Sequence, residues 1–269
     1  MRFSKSQICA VFDVSRQAFY KGHKVSVQRF LEEQVILEAV RTIRTSQPRV
    51  GGRKLHKMLL RMGFEIGRDQ LFEILGKYRL LVKPLRNFKR TTNSYHRFKK
   101  YHNLIKEKEV TKPNEVFVAD ITYLDTLEGF CYLVLITDLY SRKVVGWDLS
   151  ESLAIEGCQR ALKMALSGLE KPESLVHHSD RGFQFCSHGY VAILKGHNIE
   201  ISMTEENHVY ENAVAERLNG ILKTEFMLGQ KLQSFQVACK LTAQAITTYN
   251  DERLHTSLNY QTPTDRYAA

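Results

Sequence analysis

The spacing of apolar residues changes period once along this 269-residue chain. From 29 to 80 it is helical: Val35, Ile36, Ala39, Val40 and Ile43 make one stripe, Leu55, Met58, Leu59 and Met62 a second, and Leu71, Ile74 and Leu75 a third. Gly51 and Gly52 separate the first helix from the second, Gly63 ends the second, and a third starts at Arg68 and runs to Tyr78. Ahead of them, residues 4–21 read as a short helix, a turn and a new helix start at which Ser15 caps. That pattern is similar to a small helix-turn-helix with Arg16 and Gln17 directed at DNA.

Beyond 112 the texture becomes that of strands. Three apolar runs within NEVFVADITYLDTLEGFCYLVLITDLYSRKVVGWDLSE are divided by turn signals at Glu128-Gly129 and Ser141-Arg142, which predicts an antiparallel meander. A helix follows at about 155–167, then a strand in SLVHHSD, a helix near 187–197, a short strand in IEISMT and two long helices beyond Tyr210. Strands grouped three, one and one with helices between them give an α/β class with a ribonuclease-H-like core, a five-stranded mixed sheet flanked by helices. The expected organisation is a basic all-α module over 1–82, a basic linker over 83–111 and the catalytic core over 112–269.

Charge adds a division of labour. The net charge of +10 is uneven, with +16 on residues 1–110 and −6 on residues 111–269. A basic half suits a polyanion, because neutralised phosphates release counterions. Arg49, Arg53, Lys54, Lys57 and Arg61 are candidates for a phosphate-facing surface. The stretch KPLRNFKRTTNSYHRFKK (83–100) holds seven Lys or Arg and no acid, with Phe88, Tyr95 and Phe98 interleaved, so Arg86, Lys89, Arg90, Arg97, Lys99 and Lys100 are expected to lie on DNA. The five scattered cysteines contain no CxxC pair and read as reduced core residues. No apolar run is long enough to span a membrane and the N-terminus lacks a secretory signal, which places the chain in the cytoplasm.

Three carboxylates carry the chemistry. Asp120 sits inside the first strand between apolar neighbours, where an uncompensated charge is costly. Asp180 ends the fourth strand, where Asp, Arg and Gly turn the chain out of the sheet. Glu216 lies on a helix whose Val214, Leu218 and Ile221 fall on one side and whose Asn212, Glu216, Asn219 and Lys223 line the other. Each has a plain structural alternative: a buried salt bridge, a turn aspartate, a surface helix. Their joint placement on first strand, strand tip and helix, with 35 residues between Asp180 and Glu216, points instead to one site. Hard carboxylate oxygens suit Mg2+ or Mn2+, and two such ions about 4 Å apart serve in-line displacement at phosphorus.

These residues resemble a known family, the second-frame transposases of the IS-three group of bacterial insertion sequences, within the DDE retroviral-integrase superfamily. FVADITYL resembles its first catalytic strand, HHSDRGFQF its HSDxGxQY block and ENAVAERLNGILKTE its DNAxxExxxxxLKxE block; PRVGGRKLHKML resembles an upstream GxRxL region. YNDERLHTSLNYQTP resembles the closing YNxxRxHxxLxxxTP block, with Tyr249, Asn250, Arg253, His255, Leu258 and Pro263 matching. Where the family has a Gly-rich approach to the third carboxylate this chain has SMTEENHVYENA, with Glu211 in place of Asp, and Phe185 stands where Tyr is frequent. The resemblance implies Mg2+-dependent cleavage at element ends, attack of the freed 3′-hydroxyl on another phosphodiester, and DNA contacts at Asn212, Lys223, Arg253 and His255. It also implies a homo-oligomer on DNA at the bacterial nucleoid, and a first-frame protein or fusion supplying further DNA binding and a coiled coil, for which this chain has no clear zipper.

Among other candidates, His177 and His178 read as hydrogen-bonding supports rather than metal ligands. Arg181 faces either a DNA phosphate or Asp180, and Asp138 with Arg142 reads as a turn-stabilising pair. Two further functions stay open: a ribonuclease-H-type nuclease that hydrolyses without joining, and a catalytically silent transposase-derived repressor.

Overall fold

The computed structural model describes residues 3–83, 98–169, 174–204 and 213–269. They form two compact units, Met1–Thr45 with Gly51–Leu81, and Ser46–Val50 with Val82–Ala269.

The first unit is helical: α1 (Lys5–Val11), α2 (Arg16–Ser46), α3 (Gly52–Arg61) and α4 (Arg68–Lys77). Ser4 caps α1 in a reciprocal box, its Oγ accepting from Gln7 N at 3.3 Å while Ser4 N donates to Gln7 Oε1 at 2.8 Å. Ser15 caps α2 as its sequence predicts, accepting from Ala18 N at 3.0 Å. The helix that follows is not short. It runs 31 residues, because nothing but the isolated Gly22 weakens it before Pro48. Ile36, Leu37, Ala39, Val40 and Ile43 turn inward, whereas Val35 and Met62, expected in the stripes, are 59% and 52% exposed. Glu33 ties α2 to α4 by accepting from Lys77 Nζ at 2.6 Å and Tyr78 Oη at 3.2 Å. At Gly63 the backbone turns left-handed, φ +87°, and α3 stops.

The second unit holds a five-stranded sheet of β1 (Val116–Thr126), β2 (Gly129–Asp138), β3 (Val144–Ser150), β4 (Val176–Ser179) and β5 (Glu200–Met203), in the order β3-β2-β1-β4-β5. β1, β2 and β3 form the expected antiparallel meander; β4 pairs parallel to β1, and β5 parallel to β4. One face buries Phe117, Ala119, Val134 and Ile136 against α5 (Ile155–Leu166) and α7 (His188–Gly196), with Phe185 of the single-turn α6 (Phe183–Cys186). The other buries Leu124, Leu133 and Leu135 against α8 (Ala213–Thr224) and α9 (Phe235–Asp251). Gly146 lets α5 approach β3 closely, since a Cβ there would strike the Ala161 carbonyl oxygen. A 3-10 turn (Thr256–Leu258) and α10 (Pro263–Ala268) close the chain.

Residues 98–111, read from sequence as linker, belong to this unit. Phe98 and Tyr101 pack on the α5-side core, and Phe98 meets the Phe183 ring at 5.0 Å. Met203 N donates to His102 O at 3.3 Å and Leu104 N to Ser202 Oγ at 2.8 Å, so the segment runs along the outer edge of β5. Four of the five cysteines are buried and all are free. Among the described residues no helix is long and apolar enough to cross a membrane.

Candidate active site

Strand register brings the first two carboxylates together. In the parallel β1–β4 ladder Ala119 pairs with Ser179, so Asp120 and Asp180 follow side by side on neighbouring chains, which in a sheet lie about 4.8 Å apart. By alternation Asp120 shares a face with Val116 and Val118, the face against which Ala215 of α8 packs. α8 therefore crosses this end of β1, and one member of its polar row reaches the strand: Asn219 Nδ2 donates to Asp120 Oδ2 at 2.7 Å. Glu216 stands nearly one turn earlier on the same helix and is exposed; Lys223 stands one turn later, half-buried, with Nζ 4.5 Å from the centre of the Tyr123 ring.

Asp120 also accepts from Ile121 N at 2.9 Å, and Asp180 from Gly182 N at 2.9 Å across an Asx turn. Burial, followed by the neighbouring charges of Asp180 and Glu216, pushes the Asp120 carboxyl up to about 7 against the pull of its hydrogen bonds. Burial lowers the Lys223 ammonium, which Asp120 partly offsets.

The donor set is hard oxygen throughout, and mutual repulsion of carboxylates is what a divalent cation relieves. By that chemistry the three residues suit magnesium or manganese. Among the described residues, no three Asp, Glu, His or Cys side chains are already gathered at metal-holding distance. The arrangement is thus two adjoining carboxylates, with the third on the first turn of α8.

Other expected contacts are distributed unevenly. Arg16 at the start of α2, Arg53 on α3, and Lys99 and Lys100 are exposed; Lys54 is half-buried. Arg86, Lys89, Arg90, Arg97, Glu211 and Asn212 lie outside the described residues. Arg253 and His255, expected at DNA, turn inward. Arg253 is 4% exposed and its guanidinium grips Glu225 with Nε to Oε2 at 2.9 Å and Nη2 to Oε1 at 2.8 Å, leaving Nη1 2.9 Å from His255 Nε2. With its fork spent on Glu225 it braces the C-terminal segment. The same block fastens α9 to the sheet: Asn250 accepts from Val144 N at 2.9 Å and donates to Val144 O at 3.0 Å, and Tyr249 Oη donates to Arg142 O at 3.0 Å.

His177 and His178 are buried supports, as read from sequence. His177 Nε2 meets Tyr190 Oη at 2.8 Å, and His178 Nδ1 meets Ser202 Oγ at 2.8 Å. Burial holds His177 down at about 3, which keeps it neutral. Asp138 and Arg142 do pair across their turn, through the backbone, Arg142 N donating to Asp138 O at 2.9 Å. The Asp138 carboxylate accepts from Ser141 N and Oγ at 2.7 and 2.6 Å and from Asn114 N at 2.8 Å. Asn219 was not among the expected site residues; its signal was its place in the polar row with Glu216 and Lys223.

Known proteins match this architecture. Integrase core domain families cover residues 110–208 and 197–263. The chain is 35% identical over 261 residues to the insertion element IS600 uncharacterized 31 kDa protein of Shigella sonnei, covering 95% of this chain and 96% of that protein. It is 30% identical over 240 residues to transposase InsF for insertion sequence IS3A of Escherichia coli (strain K12), covering 87% and 83%. Among solved structures, the fold resembles a chain of the simian T-cell lymphotropic virus intasome in complex with PP2A regulatory subunit B56 gamma, with a TM-score of 0.51 at 18% identity over 82% of this chain and 71% of that one. With an integrase core over its C-terminal part and insertion-sequence relatives along nearly all its length, this chain belongs to the IS-three group of insertion-sequence transposases, in the DDE retroviral-integrase superfamily.

Proposed function

We propose that the protein cuts DNA at the ends of its insertion element and joins the freed 3′-hydroxyl to a target phosphodiester, with Asp120, Asp180 and Glu216 as the catalytic carboxylates. The observation that carries this reading is the parallel β1–β4 register, which sets Asp120 beside Asp180 beneath a helix bearing Glu216. Two divalent ions, Mg2+ or Mn2+, when bound would activate the attacking oxygen and stabilise the leaving one. The chain's own part is orientation. Asn219 and the Ile121 amide fix the Asp120 carboxylate, the Gly182 amide fixes Asp180, and Lys223 offers a cation to a phosphate from the same row.

Arg16, Arg53, Lys54, Lys99 and Lys100, with Arg86, Lys89, Arg90 and Arg97, supply sequence-independent affinity for the DNA backbone, which places the protein on the nucleoid. The working form is a homo-oligomer on DNA, in which separate copies hold the two element ends beside the target. A first-frame protein or fusion would add end recognition and a coiled coil. Asp120→Asn, Asp180→Asn and Glu216→Gln should each abolish Mg2+-dependent cleavage and strand transfer of element-end duplexes while leaving binding intact. Cleavage retained by any one of them overturns the assignment. Hydrolysis by the wild type without joining would favour a plain nuclease, and binding without either reaction a repressor.

A further inference from the structure

A cavity of about 460 Å3 opens in the catalytic unit beside the β2–β3 turn, lined among others by Lys108, Tyr140, Arg142, Asn259, Gln261 and Arg266. Three of these are cations, and no aspartate or glutamate lines the cavity. Arg142 is the unusual member. Its backbone is fastened, with N donating to Asp138 O at 2.9 Å, O accepting from Tyr249 Oη at 3.0 Å, and a left-handed φ of +66°. Its Nη1 is nonetheless enclosed without a hydrogen-bond partner among the described residues. An enclosed N–H left this way is costly unless an acceptor completes it. Burial draws its pKa down, and the charges of Tyr249 and Asp138 offset this only in part. Across the cavity the Arg266 guanidinium is held 4.1 Å over the Tyr140 ring, so a second planar donor is already positioned. Asn259 and Gln261 come from a tight turn closed by Tyr260 N to His255 O at 2.8 Å.

We propose that this cavity is a subsite for a backbone phosphate of bound DNA, held chiefly by Arg142 and Arg266. The inference rests on the DNA-cutting reading above and adds a place where the strand is gripped. Val214, two residues before Glu216, forms part of the wall, and Leu139 at the turn donates to Val116 O at the start of β1. Asp120 lies four positions along β1 from Val116, about 13 Å at strand rise. Phosphates of one DNA strand recur about every 3.4 Å along the axis, so on a duplex lying along β1 that span would cover about four nucleotides.

The test uses the full chain and a fluorescent duplex of arbitrary sequence, with anisotropy read across a salt series. Arg142→Gln combined with Arg266→Gln should weaken binding about tenfold and flatten the logarithmic salt slope by about 2, and Lys108→Gln alone by about 1. Arg142→Lys, which keeps the charge, should retain the slope. If Arg142→Gln fails to fold, Lys108→Gln and Arg266→Gln decide the matter, since both remove charge from the cavity rim. Unchanged affinity and slope in these variants overturn the subsite. So does calorimetric binding of inorganic phosphate that the variants lose while DNA binding stays unchanged, because the cavity then serves free phosphate. A wild-type chain that binds no DNA overturns the proposed function itself, a different outcome from wild-type binding with unaffected variants.

Discussion

The Asn219 amide donates to Asp120 Oδ2 at 2.7 Å, joining the helix that carries the third carboxylate to the strand that carries the first. Removing it frees Asp120 to rotate and loosens α8 over β1. Asn219→Ala should therefore lower the single-turnover cleavage rate about 10- to 100-fold and raise the Mg2+ concentration needed for half-maximal rate, with DNA affinity unchanged. A rate within twofold of wild type at all Mg2+ concentrations would show that the contact positions nothing.

Asp120 is held in an environment that opposes its charge. Its folded pKa, about 7, lies above the usual carboxylate value, so the folded state binds the proton more tightly than the unfolded one. Its ionisation therefore costs stability increasingly as pH rises from about 4 to about 7. Without metal at pH 8, Asp120→Asn should be more stable than wild type by about 2 kcal/mol in urea denaturation while being inactive. A less stable variant would contradict this electrostatic picture.

His177 gives the opposite slope. Its folded pKa of about 3 lies below the unfolded value of about 6.5, so between these pH values the unfolded chain takes up a proton that the folded chain refuses. The contribution of neutral His177 is whole above about pH 6.5 and is lost as pH falls toward 3, by at most about 1.4 kcal/mol per unit. Urea midpoints at pH 7, 6 and 5 should fall more steeply for wild type than for His177→Gln; parallel curves would refute the assignment.

Arg253 tests whether the C-terminal block is structural. Arg253→Ala strands Glu225 and should cost about 3 kcal/mol of stability, with DNA affinity of the folded protein unaltered. A stable variant with weakened DNA binding would instead restore the contact expected from sequence.

Neutralising Lys99 and Lys100 together with Arg86, Lys89, Arg90 and Arg97 should weaken binding to every DNA sequence alike and flatten its salt dependence. Unchanged affinity at fixed salt would remove this stretch from the DNA surface.

The sheet was legible because its strands are apolar runs broken by turn signals at Glu128-Gly129 and Ser141-Arg142, and those signals are local. The Asp120–Asp180 juxtaposition was legible once the strand order was, since register then places both. What depended on partners far apart in sequence was not. The Glu225 that claims Arg253 lies 28 residues away, the Asn114 that donates to Asp138 lies 24 residues away, and the Asp120 that accepts from Asn219 lies 99 residues away. The length of α2 is hidden for a different reason: its stripe is apolar only in its second half, and the first half is continued by the absence of a break rather than by any burial signal.

The segment that runs along β5 bears on how the catalytic unit can be isolated. Its Phe98 and Tyr101 anchors and its bonds to Met203 and Ser202 occupy what would otherwise be an unprotected strand edge. A fragment started at residue 112, where the strand texture begins, would leave that edge open to pairing with other molecules and should self-associate. One started at Phe98 keeps its own cover, and solubility would separate the two at the first purification step.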